Sequence, residues 1–149
     1  MNFGSSFGIS ASALTAQRLR MDVISSNVAN AETTRASVVD GKAVPYRRKL
    51  VVMEATESNK FSNILNSKLN GSSNEGVKVQ SIIEDTSPLK PVYNPSHPDA
   101  DAEGYVYMPN VDITKEMVDM LSASRSYEAN VTMLNASKAM VSKALEIGR

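Results

Sequence analysis

The chain has 149 residues, of which 42% are hydrophobic, which is enough for one domain with a modest core. Its 16 Lys and Arg residues balance 16 Asp and Glu residues, which argues against a protein that coats nucleic acid or an anionic membrane. The absence of cysteine excludes disulfides, thiolate zinc sites and iron–sulfur clusters, and the single histidine excludes a His-rich metal site.

The beginning of the chain shows no export leader of the cleaved kind. Residues Met1 to Leu14 have neither a basic start nor an apolar block before a small-residue cleavage site. No apolar run approaches the ~20 residues of a spanning helix. We therefore expect a protein that stays inside the cell or leaves by a route that cleaves nothing.

The first predicted element is a helix from about Ser10 to Ala31. Leu14, Met21 and Val28 recur every seven residues, and Ile24 occupies an alternate position of the same apolar seam. The pattern predicts a helix of ~22 residues, which is ~33 Å long at ~1.5 Å per residue.

The middle of the chain, residues 37–110, is predicted to be rich in β-structure. Strands are predicted at Val44–Met53, Val77–Ile83 and Tyr105–Met108. The Ser- and Asn-rich stretch Lys60–Glu75 reads as a flexible loop. A second, turn-rich loop is predicted where four prolines exclude a helix, namely Pro88, Pro91, Pro95 and Pro98.

The last predicted element is a helix of ~35 residues, since no proline or glycine interrupts Val111–Ile147. Asp112 is its expected N-cap. Steps of four and three residues define a mostly apolar seam: Ile113, Met117, Met120, Ser124, Tyr127, Val131, Leu134, Lys138, Val141 and Leu145. A second apolar line beside it either widens one core stripe or faces a second partner.

Few residues suggest chemistry. His97 lies between prolines in a predicted surface turn, which disfavours a catalytic base. The turn of residues 99–104, with Asp99, Asp101 and Glu103 before a glycine, resembles the start of a calcium loop, but Asn110 stands where the closing acid is expected. We assign no residue to catalysis, to a cofactor or to a metal, and we predict no enzyme.

Two terminal helices around a small insert favour an assembly subunit, because a long helix is marginal in water until its apolar face packs. We predict an α+β fold in which the N- and C-terminal helices pair as an antiparallel, coiled-coil-like stem. The predicted divisions are residues 1–36, the β-rich insert 37–110 with its loop at about 60–75, and residues 111–149. A calcium-dependent binding module and a cytoplasmic helical adaptor are the alternatives.

Sequence motifs at both ends resemble those of bacterial flagellar rod and hook subunits. The N-terminal motif is Ser26-Asn27-Val28-Ala29-Asn30, and the C-terminal motif runs from Glu116 to Asn130. Many such subunits continue the first motif with Thr-Pro-Gly-Tyr, whereas this chain has Thr33-Thr34-Arg35-Ala36 and a later Pro45-Tyr46. That departure favours the proximal rod class, which three middle segments also resemble: Pro45–Arg48, Gly76–Val79 and Tyr93–Asp101.

The resemblance implies a structural role in the flagellar basal body. Such subunits are exported through the flagellar type III apparatus without a cleaved signal peptide, and they polymerise in the periplasm into a helical rod that transmits motor torque to the hook. The implied partners are other proximal and distal rod subunits, the rod-base adaptor, the membrane ring protein and further copies of the chain. Nucleic acid and direct membrane insertion are not implied, and another rod or hook subunit is the alternative.

The predicted assembly interface lies on the two terminal helices. Apolar residues of the first helix are expected to face those of the last, while three asparagines on the flanks are expected to bond to a neighbour and set the register. The full set is Leu14, Met21, Ile24, Asn27, Val28, Asn30, Met117, Met120, Tyr127, Asn130, Val131 and Leu134.

Overall fold

The computed structural model describes residues 3–39, 42–56, 65 and 76–147. Along the chain, the described residues contain one long helix, then six short strands, then a second long helix. The predicted α+β class is therefore confirmed. In chain order the elements are α1 (Phe3–Ala29), β1 (Ser37–Val39), β2 (Lys42–Val44), β3 (Lys49–Ala55), β4 (Val77–Glu84), β5 (Lys90–Tyr93), β6 (Tyr105–Met108) and α2 (Ile113–Ile147).

The two helices are close to the predicted ones. α1 begins at Phe3, seven residues earlier than expected, and ends two residues sooner, at Ala29. α2 begins at Ile113, and its cap is the predicted one, because Asp112 Oδ1 accepts hydrogen bonds from the backbone N–H groups of Thr114 (3.0 Å) and Lys115 (3.4 Å). None of the helices in the described residues has the length and hydropathy needed to cross a bilayer.

The strands form three two-stranded sheets: β1 with β2, β3 with β4, and β5 with β6. The first and third are antiparallel, with Ser37 opposite Val44 and Tyr93 opposite Tyr105. β3 and β4 also run in opposite directions, since Thr56 donates to Gly76 at one end and Arg48 accepts from Asp85 at the other.

The predicted strand Val44–Met53 is in fact two strands separated by the segment Pro45–Arg48. Pro45 has no N–H to donate to a ladder. Tyr46 donates its N–H to Thr33 O (3.1 Å), and Arg48 donates its N–H to the Asn110 side chain (2.9 Å). These backbone groups are therefore bound outside any sheet, which the local β-propensity could not indicate.

The proline-rich segment, predicted as a turn-rich loop without a helix, contains a short strand. β5 includes Pro91, which lies opposite Tyr107. A two-stranded sheet has only edge strands, and an edge strand can place the missing N–H of a proline on its unpaired side. The predicted strand Tyr105–Met108 is confirmed as β6, and Val77–Ile83 is confirmed within β4. The predicted Lys60–Glu75 loop lies outside the described residues except for Leu65, which is exposed.

The chain divides into two compact units. The first unit comprises residues 1–20, 52–81 and 123–149, and its most buried apolar side chains are Ala16 and Ala123. Ser12 belongs to this unit: its hydroxyl donates to Ile9 O (2.8 Å) and accepts from Val77 N–H (3.2 Å). Gly76 lies close beside it: a Cβ there would lie 2.7 Å from Ser12 Oγ, so the Ser12 hydroxyl would have to move.

The second unit comprises residues 21–51 and 82–122. Its buried apolar side chains are Val23, Ile24, Tyr46, Val106 and Val111. Each unit thus joins one end of α1 to the opposite end of α2, as an antiparallel helix pair requires, and the predicted pairing of the terminal helices is confirmed.

Candidate functional site

The most deeply buried polar side chain of α1 is Asn27, which is 1% exposed. Its Nδ2 donates to Lys49 O (2.9 Å) and to Glu116 Oε2 (3.0 Å). Its Oδ1 accepts from Lys49 N–H (2.9 Å) and from the Tyr46 hydroxyl (2.9 Å). Both donor and both acceptor positions of the amide are therefore used within the chain.

Asn27 binds Lys49 as a neighbouring strand would. The amide pairs with both the N–H and the C=O of that residue, where β3 begins. Since the backbone N–H requires an acceptor, this pairing also fixes which way the amide points. The side chain thereby holds the last turns of α1 against the start of β3.

Glu116 on α2 is the second buried member of this network and is also 1% exposed. Its Oε1 accepts from Arg48 Nε (2.6 Å), while its Oε2 accepts from Asn27. A carboxylate is stable at such depth only when it is paired and hydrogen-bonded. The first turn of α2 is thus bound both to α1 and to the segment before β3.

Arg48 lies among three carboxylates. Besides Glu116, its guanidinium approaches Asp85 Oδ2 (3.7 Å) and Asp119 Oδ2 (3.5 Å), and it is mostly buried. The backbone of Arg48 is held as well, because Asn110 Oδ1 accepts its N–H while Asn110 Nδ2 donates to Asp85 O (3.4 Å). We call Asn27, Tyr46, Arg48, Asp85, Asn110 and Glu116 the Asn27 network.

The carboxyl group of Asp85, at the edge of this network, has a lowered pKa. Hydrogen bonds from the hydroxyl and the backbone N–H of Ser87 lower its pKa, and the nearby Arg48 guanidinium lowers that pKa further. Asp85 is therefore a carboxylate at neutral pH and a stable partner for Arg48.

A second polar cluster, the Asp99 clamp, consists of Thr34, Arg35 and Asp99. The Asp99 carboxylate accepts hydrogen bonds from Thr34 Oγ1 (2.9 Å) and from Arg35 Nε (3.0 Å) and Nη2. The hydrogen bonds from Arg35 are the main cause of a lowered pKa for Asp99. The clamp ties the loop between β5 and β6 to the turn after α1.

The calcium interpretation of residues 99–104 is not favoured. The first of its expected ligands, Asp99, is already occupied by a guanidinium and a hydroxyl. His97 is occupied too, since its Nδ1 accepts the Asp99 N–H (3.1 Å). Within the described ranges, acidic and histidine side chains form no group of three or more that could hold a metal ion.

The residues predicted for the interface on α1 differ in burial. Ile24 and Asn27 are buried, while Leu14, Met21, Val28 and Asn30 are half-buried. Asn30 forms hydrogen bonds with residues close to it in the sequence: its Nδ2 donates to Ser26 O (2.9 Å) and its Oδ1 accepts from Thr33 Oγ1 (3.3 Å). Ala16 and Val23, which were not in the predicted seam, are buried.

On α2 the inward face is displaced by one residue from much of the predicted seam. Met117 is 59% exposed, whereas Glu116 before it is buried. Met120, Tyr127, Asn130, Val131 and Leu134 are half-buried, and Asn130 Nδ2 donates to Ser126 O (2.8 Å) in its own helix. The most buried side chains of α2 are not large apolar groups, and they are spaced by seven and then fourteen residues: Glu116, Ala123 and Ser137.

Sequence reasoning missed Tyr46, Arg48, Asp85, Asn110 and Glu116 as site residues. One of them had a usable signal: Glu116 lies seven residues before Ala123 and fourteen before Asn130, so small and polar residues recur at heptad spacing. The others come from loops and strand ends, where no periodicity identifies a buried partner.

Comparison with known proteins gives matches at both ends of the chain and along its length. A family model described as "Flagella basal body rod protein" matches residues 7–36. A second, described as "Flagellar basal body rod FlgEFG protein C-terminal", matches residues 102–147. These two matches contain Asn27 and Glu116 respectively.

Several curated relatives match the chain almost from end to end, and each is named "Flagellar basal-body rod protein FlgC". The relative from Bacillus subtilis (strain 168) is 60% identical over 146 residues, covering 97% of both chains. That of Borreliella burgdorferi is 46% identical over 153 residues, covering 99% of this chain and 98% of the relative. That of Salmonella typhimurium (strain LT2) is 46% identical over 143 residues, covering 96% of both.

Proposed function

Since this chain belongs to the FlgC family of flagellar basal-body rod proteins, we propose that it polymerises through its terminal helices into the proximal rod and transmits motor torque. It is a structural subunit of the rod and not an enzyme. The observation that carries this conclusion is 60% identity with the Bacillus subtilis FlgC protein over 97% of both chains.

The Asn27 network supports a role in transmitting torque. It joins the end of α1, the start of β3, the loop before α2 and the first turn of α2 through hydrogen bonds that leave the buried amide fully satisfied. Buried polar groups in this state hold one arrangement, because any alternative leaves donors or acceptors unpaired. A subunit that passes on torque needs such resistance to shear between its segments.

The terminal helices supply the assembly surface in this proposal. Residues 1–36 and 111–149 form the inner helical layer of the rod, and residues 37–110 form the insert. The twelve residues of the predicted interface remain a proposal, although Ile24 and Asn27 are buried within the chain and Asn27 uses all its hydrogen-bonding positions there. The half-buried residues offer surface that a neighbouring copy can cover. Contacts that do not close into a ring generate a helical tube.

The rod family places the chain in the flagellar basal body, among other rod components. We further propose a periplasmic location and export by the flagellar type III apparatus without a cleaved signal. The proposed neighbours are proximal and distal rod subunits, the rod-base adaptor, the membrane ring protein and other copies of the chain. The family resemblance of both terminal motifs supports these finer statements.

The proposed function is tested by deleting the gene from the source bacterium and supplying it again on a plasmid. The wild-type chain is expected to restore swimming and to be recovered in purified basal bodies. Met120→Asp, which places a charge on a half-buried position of α2, is expected to be exported but absent from basal bodies.

Ser122→Asp is the matched control, because Ser122 is exposed on the same helix two residues away. It is expected to behave as the wild type does. Normal swimming in the deletion strain without any plasmid would overturn the proposed function. Normal rods containing Met120→Asp would overturn the role of the terminal-helix seam alone.

A further inference from the structure

The single histidine of the chain, His97, lies in the loop between β5 and β6. Its Nδ1 accepts a hydrogen bond from the backbone N–H of Asp99 (3.1 Å). The backbone of His97 is bound as well, because its N–H donates to Asn94 O (3.2 Å) and its C=O accepts from Ala100 N–H (3.0 Å). The imidazole ring therefore completes a turn that backbone hydrogen bonds hold on both sides.

The hydrogen bond to Nδ1 requires one protonation state of the ring. A nitrogen that accepts an N–H must present a lone pair, so the ring is the neutral imidazole with its proton on Nε2. A second proton on Nδ1 would turn this acceptor into a donor that faces the donor N–H of Asp99. Protonation of His97 and the hydrogen bond from Asp99 therefore exclude each other.

Pro98, between His97 and Asp99, makes this bond difficult to replace. A proline fixes its own φ and restricts the backbone of the residue before it. The chain thus has little freedom to turn the Asp99 N–H towards another acceptor. Loss of the Nδ1 acceptor leaves that N–H to be satisfied by water, which requires the turn to open.

Asp99 is also the acid of the clamp, so its two ends are held by different partners. Its carboxylate is bound by Thr34 and Arg35, which are 65 and 64 positions away in the sequence. The hydrogen bonds from Arg35 are the main cause of the lowered pKa of Asp99, and the charge of a protonated His97 lowers that pKa as well. The imidazolium therefore acts on the same carboxylate that Arg35 binds.

The groups around the clamp leave histidine as the residue type that changes charge at mildly acidic pH. A cavity of about 430 Å³ borders the clamp, and its titratable and charged lining residues come from the turn after α1, from β2, from β6 and from the loop itself: Arg35, Lys42, Tyr107, Asp99 and Asp101. Of these types and histidine, only histidine ordinarily titrates between about pH 5 and 8. Acidification through this range thus adds a positive charge at His97.

We propose that His97 is a pH switch for the Asp99 clamp. At neutral pH its Nδ1 holds the Asp99 N–H, and the Asp99 carboxylate binds Thr34 and Arg35. On protonation the N–H loses its acceptor, the imidazolium turns towards the carboxylate, and the hydrogen bonds from Arg35 weaken. The loop between β5 and β6 then loosens from the turn after α1. The switch is a property of the folded chain and does not depend on its function as a rod subunit.

Nuclear magnetic resonance of the full ¹⁵N-labelled chain tests the switch, since one histidine gives one set of ring signals. At about pH 7.5 the ring is expected to be the Nε2–H tautomer. On titration to about pH 5, the Asp99 amide proton is expected to move upfield with the same midpoint as the ring. The protection of that amide against hydrogen exchange, relative to its intrinsic rate, is expected to fall at least about tenfold.

His97→Asn is the matched control. An asparagine oxygen accepts the N–H of the second residue after it in the same kind of turn, and it does not titrate. In this variant the Asp99 amide is expected to stay unchanged between about pH 7.5 and pH 5. The Arg35 Nε–H signal reports on the clamp: it is expected to move with the ring in the wild type and to stay constant in His97→Asn.

Three results would overturn the switch. The first is an Nδ1–H tautomer in the wild type at neutral pH, and the second is an Asp99 amide or an Arg35 Nε–H signal that does not follow the ring. The third is an equal movement of these signals in His97→Asn, which would show that another group titrates. If His97→Asn does not fold, the wild-type tautomer and the shared midpoint decide the matter without it.

Discussion

The Asn27 network and the Asp99 clamp perform a similar task by different means. Both join segments that are far apart in the sequence, and both use hydrogen bonds to a carboxylate. In the network the carboxylate and the amide are 1% exposed, whereas in the clamp the arginine is more than half exposed. The network is a buried arrangement of neutral and charged groups, and the clamp is an ion pair at the surface.

The difference determines how each cluster contributes to stability. Removing a member of the network leaves other groups buried and unpaired, which is costly. In the clamp the Arg35 side chain is 57% exposed and pairs with an Asp99 side chain that is 8% exposed. Removing Arg35 lets water reach the Asp99 carboxylate, so the cost is small and depends on pH and salt. The network therefore sets the arrangement of the helices, while the clamp adjusts the position of a loop.

Asn27→Ala is expected to have the largest effect. It leaves the Tyr46 hydroxyl, both backbone groups of Lys49 and the Glu116 carboxylate without their shared partner, and should lower the free energy of unfolding by about 3–5 kcal/mol. Urea denaturation of the full chain measures this. Asn30→Ala is the control and should cost about 1 kcal/mol, because Asn30 bonds only near its own helix end. Equal costs would contradict the special role of Asn27.

Glu116→Gln is expected to cost less. The substitution keeps the size of the side chain and one oxygen for Arg48, but it removes the charge and turns an acceptor into a donor facing Asn27. The free energy of unfolding should fall by about 2 kcal/mol. Glu128→Gln, in an exposed pair with Arg125, should change it by less than about 0.5 kcal/mol. Similar effects of the two substitutions would show that burial does not matter here.

Gly104→Ala is expected to destabilise the β5–β6 hairpin by about 1–2 kcal/mol, since the residue has a φ of 84° and its new Cβ would lie 3.3 Å from Pro95 Cβ. Thermal unfolding measures the loss. Gly8→Ala is the matched control: it lies inside α1 with nothing within 4 Å, so alanine should stabilise the helix by about 0.5–1 kcal/mol. The two substitutions should thus shift the melting temperature in opposite directions.

The smallest expected effect is the pH dependence of the clamp. Because the pKa of Asp99 is lower in the folded chain than in the unfolded one, its stabilisation is present above the ordinary value near 3.8 and is lost as the pH falls through the folded value. Arg35→Gln should therefore flatten the fall in melting temperature between about pH 5 and pH 2. At neutral pH the same variant should melt slightly below the wild type. If Arg35→Gln leaves the fall in melting temperature at acid pH unchanged, the ion pair between Arg35 and Asp99 is not its cause.

Only residues that belong to a periodic pattern or a terminal motif could be predicted from the sequence. Ile24 and Met120 follow from apolar periodicity, and Asn27 follows from the terminal motif. The partners of Asn27 could not be predicted, because Lys49 contributes backbone atoms and Tyr46 follows a proline that interrupts a predicted strand. Hydrogen-bond partners separated by 89 residues, such as Asn27 and Glu116, leave no periodic trace in a single sequence.

By itself the sequence determined two long helices, their ends at Asp112 and near Ala29, an α+β class and membership in the rod family. These properties depend on local signals, namely capping, apolar periodicity and uninterrupted helix-forming residues. Only the tertiary structure decided which face of each helix is buried. Small and polar side chains occupy the most buried positions of α2: Ala123 and Ser137 are small, and Glu116 binds Arg48 and Asn27, while the larger Met117 is exposed.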